Sequence, residues 1–100
     1  TCDFFEGRGH PTIAQDSQTE VGYVHSIGHG LGLAIHEEPH FSDLPTNTEL
    51  LQPGHIFTCE PGLYYPDRGF GIRLEDVVWV DEAGLAHNLT DFPKDLVVDV

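Results

Sequence analysis

Apolar and polar positions alternate in different ways along the chain, and the changes mark its elements. At the start, Cys2, Phe4 and Phe5 cluster ahead of Gly7 and Gly9, which predicts the end of a helix over residues 1–6. Residues 7–22 are rich in Gly, Pro, Gln, Ser and Asp and read as a loop. A short strand or turn is expected at 23–25, and the glycine-rich segment 28–32 permits close backbone approach. Residues 40–54, with Pro45 and Pro53-Gly54, form a second loop. The rest is β in character. Residues 55–65 read as a strand interrupted at Pro61-Gly62, and Tyr65-Pro66-Asp67-Arg68-Gly69 as a turn. Residues 70–80 make the strongest strand, 81–84 a turn, 85–89 a short strand and 95–100 a weak terminal strand. The expectation is an α+β chain, mainly antiparallel sheet, with helix only at its N-terminal end.

Composition sharpens this picture. One hundred residues make one domain at most, and a chain of that size buries roughly 60–70% of its unfolded surface. A hydrophobic share of 39% with one Trp, Trp79, is that of a globular chain. Seventeen Asp and Glu against Arg8, Arg68, Arg73 and Lys94 give a formal charge of −13. Such a chain repels phosphate backbones, so nucleic acid is excluded as a partner, while cations are attracted. Most of the carboxylates are expected on a solvated acidic surface. Cys2 and Cys59 form no metal-type pair, and Cys59, beside Phe57, reads as a buried free thiol. No signal peptide is visible and no apolar run is long enough for a membrane. The chain starts at Thr1 without an initiator Met, as a fragment would.

The chemistry concentrates in His25-Ser26-Ile27-Gly28-His29-Gly30-Leu31-Gly32-Leu33-Ala34-Ile35-His36-Glu37-Glu38-Pro39. His29 has glycine on both sides, so a metal or a substrate backbone can come close to its imidazole. A phosphate-binding glycine loop is the rival reading, and it is rejected because no Lys-Ser or Lys-Thr follows and the local charge is acidic. Glu60 precedes Pro61-Gly62 in an apolar strand, and Glu75 lies between Leu74 and Asp76 in another. A carboxylate on an interior strand is costly unless it is paired or binds metal. Arg73 and Glu75, two apart in a strand, share a face, so an exposed Arg-carboxylate pair is the bland alternative for Glu75. One imidazole and two carboxylates suit a hard or borderline divalent metal, and a metal-dependent hydrolase is the leading reading.

Taken together, Gly28-His29-Gly30-Leu31-Gly32, His36-Glu37-Glu38-Pro39, Leu51-Gln52-Pro53-Gly54, Thr58-Cys59-Glu60-Pro61-Gly62-Leu63-Tyr64 and Gly71-Ile72-Arg73-Leu74-Glu75-Asp76 resemble the pita-bread metallopeptidases. These are the methionine aminopeptidases, aminopeptidase P and prolidase. The last block fits the Xaa-Pro aminopeptidase and Xaa-Pro dipeptidase (prolidase) branch best. The resemblance implies that His29, Glu60 and Glu75 are metal ligands and that Glu60 is also the general base. It implies that His36 steadies the substrate carbonyl or tetrahedral intermediate. His25 and Arg73 match positions that line the substrate site and support the metal cluster, and they count with Glu60 and His36 as catalytic. Substrate contacts fall to His25, His36 and His40. Two divalent ions are implied, Mn, Co or Fe before Zn, together with short proline-containing peptides as substrates. A cytoplasmic homodimer without membrane or nucleic-acid partners is expected of the full-length enzyme.

Two departures matter. The family uses five ligands, two of them upstream aspartates, yet only twenty-eight residues precede His29, and Asp3 and Asp16 lack the surrounding pattern. The chain therefore resembles the C-terminal half of a pita-bread domain over residues 1–100, expected to be inactive alone and to expose sheet edge and core. Where some prolidases carry an arginine that clamps a dipeptide's carboxylate, this chain has His40, which lacks the bidentate fork of arginine. General Xaa-Pro hydrolysis is thus expected before strict dipeptidase activity. The rivals are a methionine aminopeptidase, against which His25 and Arg73 weigh, and a non-catalytic pita-bread binding module. His10, His55 and His87 have no matched role and read as surface histidines.

Overall fold

A computed structural model describes residues 1–97. Helix α1 (Cys2–Glu6) ends at Gly7, as its apolar cluster and following glycines predict. A long connection leads to β1 (His29–Gly30) and β2 (Glu37–His40), which pair antiparallel across a bulge and a cis Glu38–Pro39 bond. Then come β3 (Ile56–Cys59), β4 (Gly62–Tyr65), a 3₁₀ turn (Pro66–Arg68), β5 (Phe70–Arg73), β6 (Asp76–Val80) and β7 (Ala86–Asn88). Five strands form one sheet in the order β2-β1-β3-β6-β7, and β4 and β5 form a second. All the strand pairs are antiparallel.

The structure corrects the single strand expected over 70–80, which is cut at Leu74-Glu75, and it divides 55–65 between two sheets at Glu60-Pro61. The two cuts share one cause. Ile56 pairs with Trp79 and Cys59 with Asp76; Gly62 then pairs with Arg73 and Tyr65 with Phe70. The offset is the same on both sides, so one long hairpin runs through both sheets. Between them Pro61 has no N–H to give, and only the Leu74 N–H to Pro61 carbonyl bond (3.3 Å) remains. The hairpin closes on Gly69 at φ 71°, a left-handed position that glycine takes without penalty.

Strand β2 falls where no element was expected. Of the segment expected at 23–25, Tyr23 forms a single bridge, to Thr12, and the preceding Gly22 bridges to Tyr64. Within the weak strand expected at 95–100, residues 95–97 are not in a strand and 98–100 lie outside the described residues. The β6–β7 turn is held by Asp81, which accepts from the Ala83 and Leu85 N–H groups and pairs with His87 Nε2 at 2.6 Å. The His87 imidazole, then the Leu85 N–H, hold the Asp81 carboxyl below its usual range. Cys2 and Cys59 are free, and Cys59 is half-buried, with its thiol pushed up by that partial burial. Among the described residues, no helix is long and apolar enough to cross a membrane.

The core is small. Tyr23, Phe57 and Val80 are the buried hydrophobic side chains, while Phe70, Ile72 and Leu74 stand exposed. Accessible surface is 7445 Å², against roughly 5,700 Å² for a complete folded chain of this mass. The radius of gyration is 15.2 Å, where about 13 Å is usual for 100 residues. The sheets therefore leave apolar faces bare.

Candidate active site

The break in the hairpin is where the predicted site residues gather. Carried through the gap, the shared offset places Glu60 opposite Glu75. Two like charges facing each other across an antiparallel pair are unfavourable, so this arrangement calls for a cation. In the structure Arg73 supplies one: its Nη1 lies 3.4 Å from Glu60 Oε2 and its Nε 3.7 Å from Glu75 Oε2. The shared face expected for Arg73 and Glu75 is present, although the strand ends between them. Glu60 is 9% exposed, whereas Arg73 and Glu75 are exposed.

His29 arrives from the neighbouring strand. Gly30 pairs with Phe57, which sets β1 beside β3. His29 Nδ1 is 3.0 Å from the Gly30 carbonyl, an acceptor only, so Nδ1 donates to it and Nε2 is the ring nitrogen turned toward Glu60. That Nε2 is 3.1 Å from Glu60 Oε1. Two acceptors brought this close require a proton or a metal ion between them. An Nε2 lone pair, fixed by a carbonyl on the other ring nitrogen, beside a carboxylate is a donor set that fits a divalent metal. Glu75 is turned toward Arg73. Among the described residues the one group of three or more His, Cys, Asp or Glu with donor atoms all within 4.8 Å is Glu38, His40 and Glu49, all exposed.

Close backbone packing holds β1 in place. The Glu60 N–H donates to the Ile27 carbonyl at 2.7 Å. A Cβ on Gly28 would stand 1.8 Å from the Thr58 carbonyl oxygen, and one on Gly30 2.0 Å from that of Glu38. Because the obstacle at Gly28 is backbone, Gly28→Ala is expected to force β1 off β3. Overpacking of this kind costs about 1–3 kcal/mol or more. Denaturant midpoints compare the variant with the unchanged protein, and equal midpoints would refute the expectation.

The other predicted residues lie around this group. The His36 ring is exposed and meets the His29 ring edge-on, with centroids 4.2 Å apart. His25 donates from Nδ1 to the Ser26 carbonyl (2.7 Å), and Nε2 faces the Tyr64 hydroxyl at 3.0 Å. The Cα of His40 is opposite that of His29, but its Nδ1 lies 3.1 Å from Glu49 Oε1. The His40 backbone N–H, then its imidazole, hold the Glu49 carboxyl below its usual range. A cavity of about 750 Å³ is lined by Tyr23, His25, Phe41, His40, Glu49 and Leu51 among others, and neither His29, Glu60 nor Glu75 lines it. Of the three leftover histidines, His10 is half-buried and bonded to the Tyr65 hydroxyl, His55 accepts from the Gln52 N–H at 3.3 Å, and His87 pairs with Asp81.

Two residues had no assigned role. Tyr64 bonds His25. Thr58, 3% exposed, contacts both His29 and Glu60. The signal for Thr58 was available, since it stands two residues before Glu60 and so on the same strand face.

Comparison with known proteins follows the same lines. A model of metallopeptidase family M24 matches residues 8–82. The chain is 41% identical over 90 residues to an Xaa-Pro dipeptidase of Pyrococcus furiosus, covering 86% of this chain and 25% of that protein. Among solved structures it is similar to the Xaa-Pro dipeptidase from Bacillus anthracis (TM-score 0.64, 38% identity, 85% of this chain and 22% of that one). It is equally similar to the prolidase from Pyrococcus horikoshii OT3 (TM-score 0.65, 35% identity, 85% and 23%). The chain spans 20–25% of the length of such curated relatives.

Proposed function

The chain belongs to metallopeptidase family M24, and on that premise we propose that it supplies the His-Glu-Glu side of a two-metal centre in an Xaa-Pro peptidase. Its sheet is part of the pita-bread fold of the prolidases it resembles. The observation that carries the reading is His29 Nε2 3.1 Å from Glu60, whose place opposite Glu75 follows from the register shared by the two flanking strand pairs. His29, Glu60 and Glu75 would hold the metal. Their oxygen-rich donor set favours Mn²⁺, Co²⁺ or Fe²⁺ over a closed thiolate zinc site.

What the metal supplies when bound is a lowered pKa for water and polarisation of the scissile carbonyl. Glu60, paired with Arg73, accepts the proton of the attacking water. His36, whose ring abuts His29, donates an N–H to the developing oxyanion. His25, oriented by Ser26 and Tyr64, lines the substrate site. Arg73 keeps the two carboxylates aligned. His40 is engaged by Glu49 and so is not free to clamp a dipeptide's carboxylate. This favours general Xaa-Pro hydrolysis over strict dipeptidase activity.

The test is Mn²⁺- or Co²⁺-dependent hydrolysis of Ala-Pro, Ala-Pro-Ala and Met-Ala-Ser by the longest natural form of the protein, with this 100-residue chain alongside. Cleavage of the two proline peptides by the long form is expected, with Ala-Pro-Ala at least as good as Ala-Pro and the short chain inert. Preference for Met-Ala-Ser would move the assignment to a methionine aminopeptidase. A long form that cleaves nothing would leave a binding module.

A further inference from the structure

We propose that Thr58 is a positioning residue that locks His29 and Glu60 into one metal-binding unit; the inference rests on reading those two residues as ligands. Thr58 sits in β3, with its Cα opposite Val77. Its Oγ1 accepts the His29 backbone N–H at 3.0 Å and lies 2.9 Å from Glu60 Oε1. A hydroxyl has one proton to give. The other nearby acceptor, the His29 carbonyl, is at 3.4 Å. The carboxylate is nearer and charged, so the proton goes to Glu60. One hydroxyl thus receives from the residue that carries the imidazole and donates to the residue that carries the carboxylate.

The arrangement has consequences for the ligands. Glu60 Oε1, the oxygen facing His29 Nε2, is the one that Thr58 holds. The bond therefore selects the carboxylate rotamer that presents Oε1 to the imidazole. On the other side it pins the backbone at His29, whose ring is oriented from the same residue pair through the Gly30 carbonyl. Thr58 is buried, so its hydroxyl is held in place by these protein groups. A partner that orients metal ligands in this way, without touching the metal, is worth about 10–100-fold in metal affinity.

Valine keeps the shape of threonine and removes the hydroxyl; serine keeps the hydroxyl and removes the methyl. The experiment measures Mn²⁺ dissociation constants, by the electron paramagnetic resonance of free Mn²⁺, for the longest natural form and its Thr58→Val and Thr58→Ser variants. Thermal midpoints of the metal-free proteins are recorded in parallel. Thr58→Val is expected to bind Mn²⁺ about 10–100-fold more weakly, and Thr58→Ser within about threefold of the unchanged protein, a shift worth under 1 kcal/mol. Undiminished binding by Thr58→Val overturns the proposal. So does a loss of about tenfold or more in Thr58→Ser, which keeps the hydroxyl and would assign the effect to packing; this arm stands even if Thr58→Val fails to fold. An unchanged protein that binds no Mn²⁺ overturns the reading of His29 and Glu60 as metal ligands, an outcome distinct from a selective failure at Thr58.

Discussion

Replacing Glu60 with glutamine is expected to slow Xaa-Pro hydrolysis by the longest natural form about 100- to 10,000-fold, the span contributed by a positioned proton acceptor. The loss belongs at the upper end, because the same carboxylate is proposed as a metal ligand. Glutamine preserves the volume of the side chain and an oxygen for Thr58 to donate to. It removes the charge, and with it both the pairing to Arg73 at 3.4 Å and the repulsion from Glu75 across the hairpin. These two changes oppose each other, so folding should be little affected. Initial rates on Ala-Pro-Ala at saturating Mn²⁺, with thermal unfolding in parallel, check both halves. A Glu60→Gln enzyme within tenfold of the unchanged rate would sink the assignment of Glu60 as base.

His36→Ala is expected to lower kcat about 100- to 1,000-fold with KM little changed, as when a single donor to an oxyanion is lost. The structure makes this a clean test. The His36 side chain is exposed and makes no hydrogen bond among the described residues; its contact is the ring of His29. A surface substitution of that kind changes stability by about 0.5 kcal/mol or less. Activity and folding should therefore separate: a large fall in kcat on an unshifted thermal midpoint. A rise in KM at constant kcat would instead give His36 a role in ground-state binding. An unchanged kcat would remove it from the chemistry.

Several features were legible because their cause is local. The helix at Cys2–Glu6 and the turn closed by Gly69 rest on residues within one or two positions of the event. So do the Arg73 and Glu75 contact, which follows from the two-residue period of extended chain, and the turn that Asp81 caps. The motif blocks were equally legible. Through the resemblance that they carry, these blocks name His29, Glu60 and Glu75 as candidate ligands.

What escaped the sequence depends on partners far along the chain. Strand β2, Glu-Glu-Pro-His, has neither alternation nor β-formers; it is a strand because β1 pairs with it. Nothing within 70–80 announces the break at Leu74-Glu75, since the missing N–H belongs to Pro61 on the facing strand. Cys59 read as buried because apolar Phe57 stands two residues before it, yet the half-bare sheet leaves it partly open. The two-residue spacing of Thr58 and Glu60 could have been read, but the arrival of the His29 N–H at the same hydroxyl could not. By itself the sequence determined the fold class, the family resemblance and the chemical identity of the candidate ligands, because propensity, turn chemistry and donor type are properties of the residues themselves. Only the tertiary structure decided that Glu60 faces Glu75, that Arg73 reaches both, and that Thr58 joins His29 to Glu60. Strand register is set by pairing and burial summed over distant segments, and no short stretch of chain contains it.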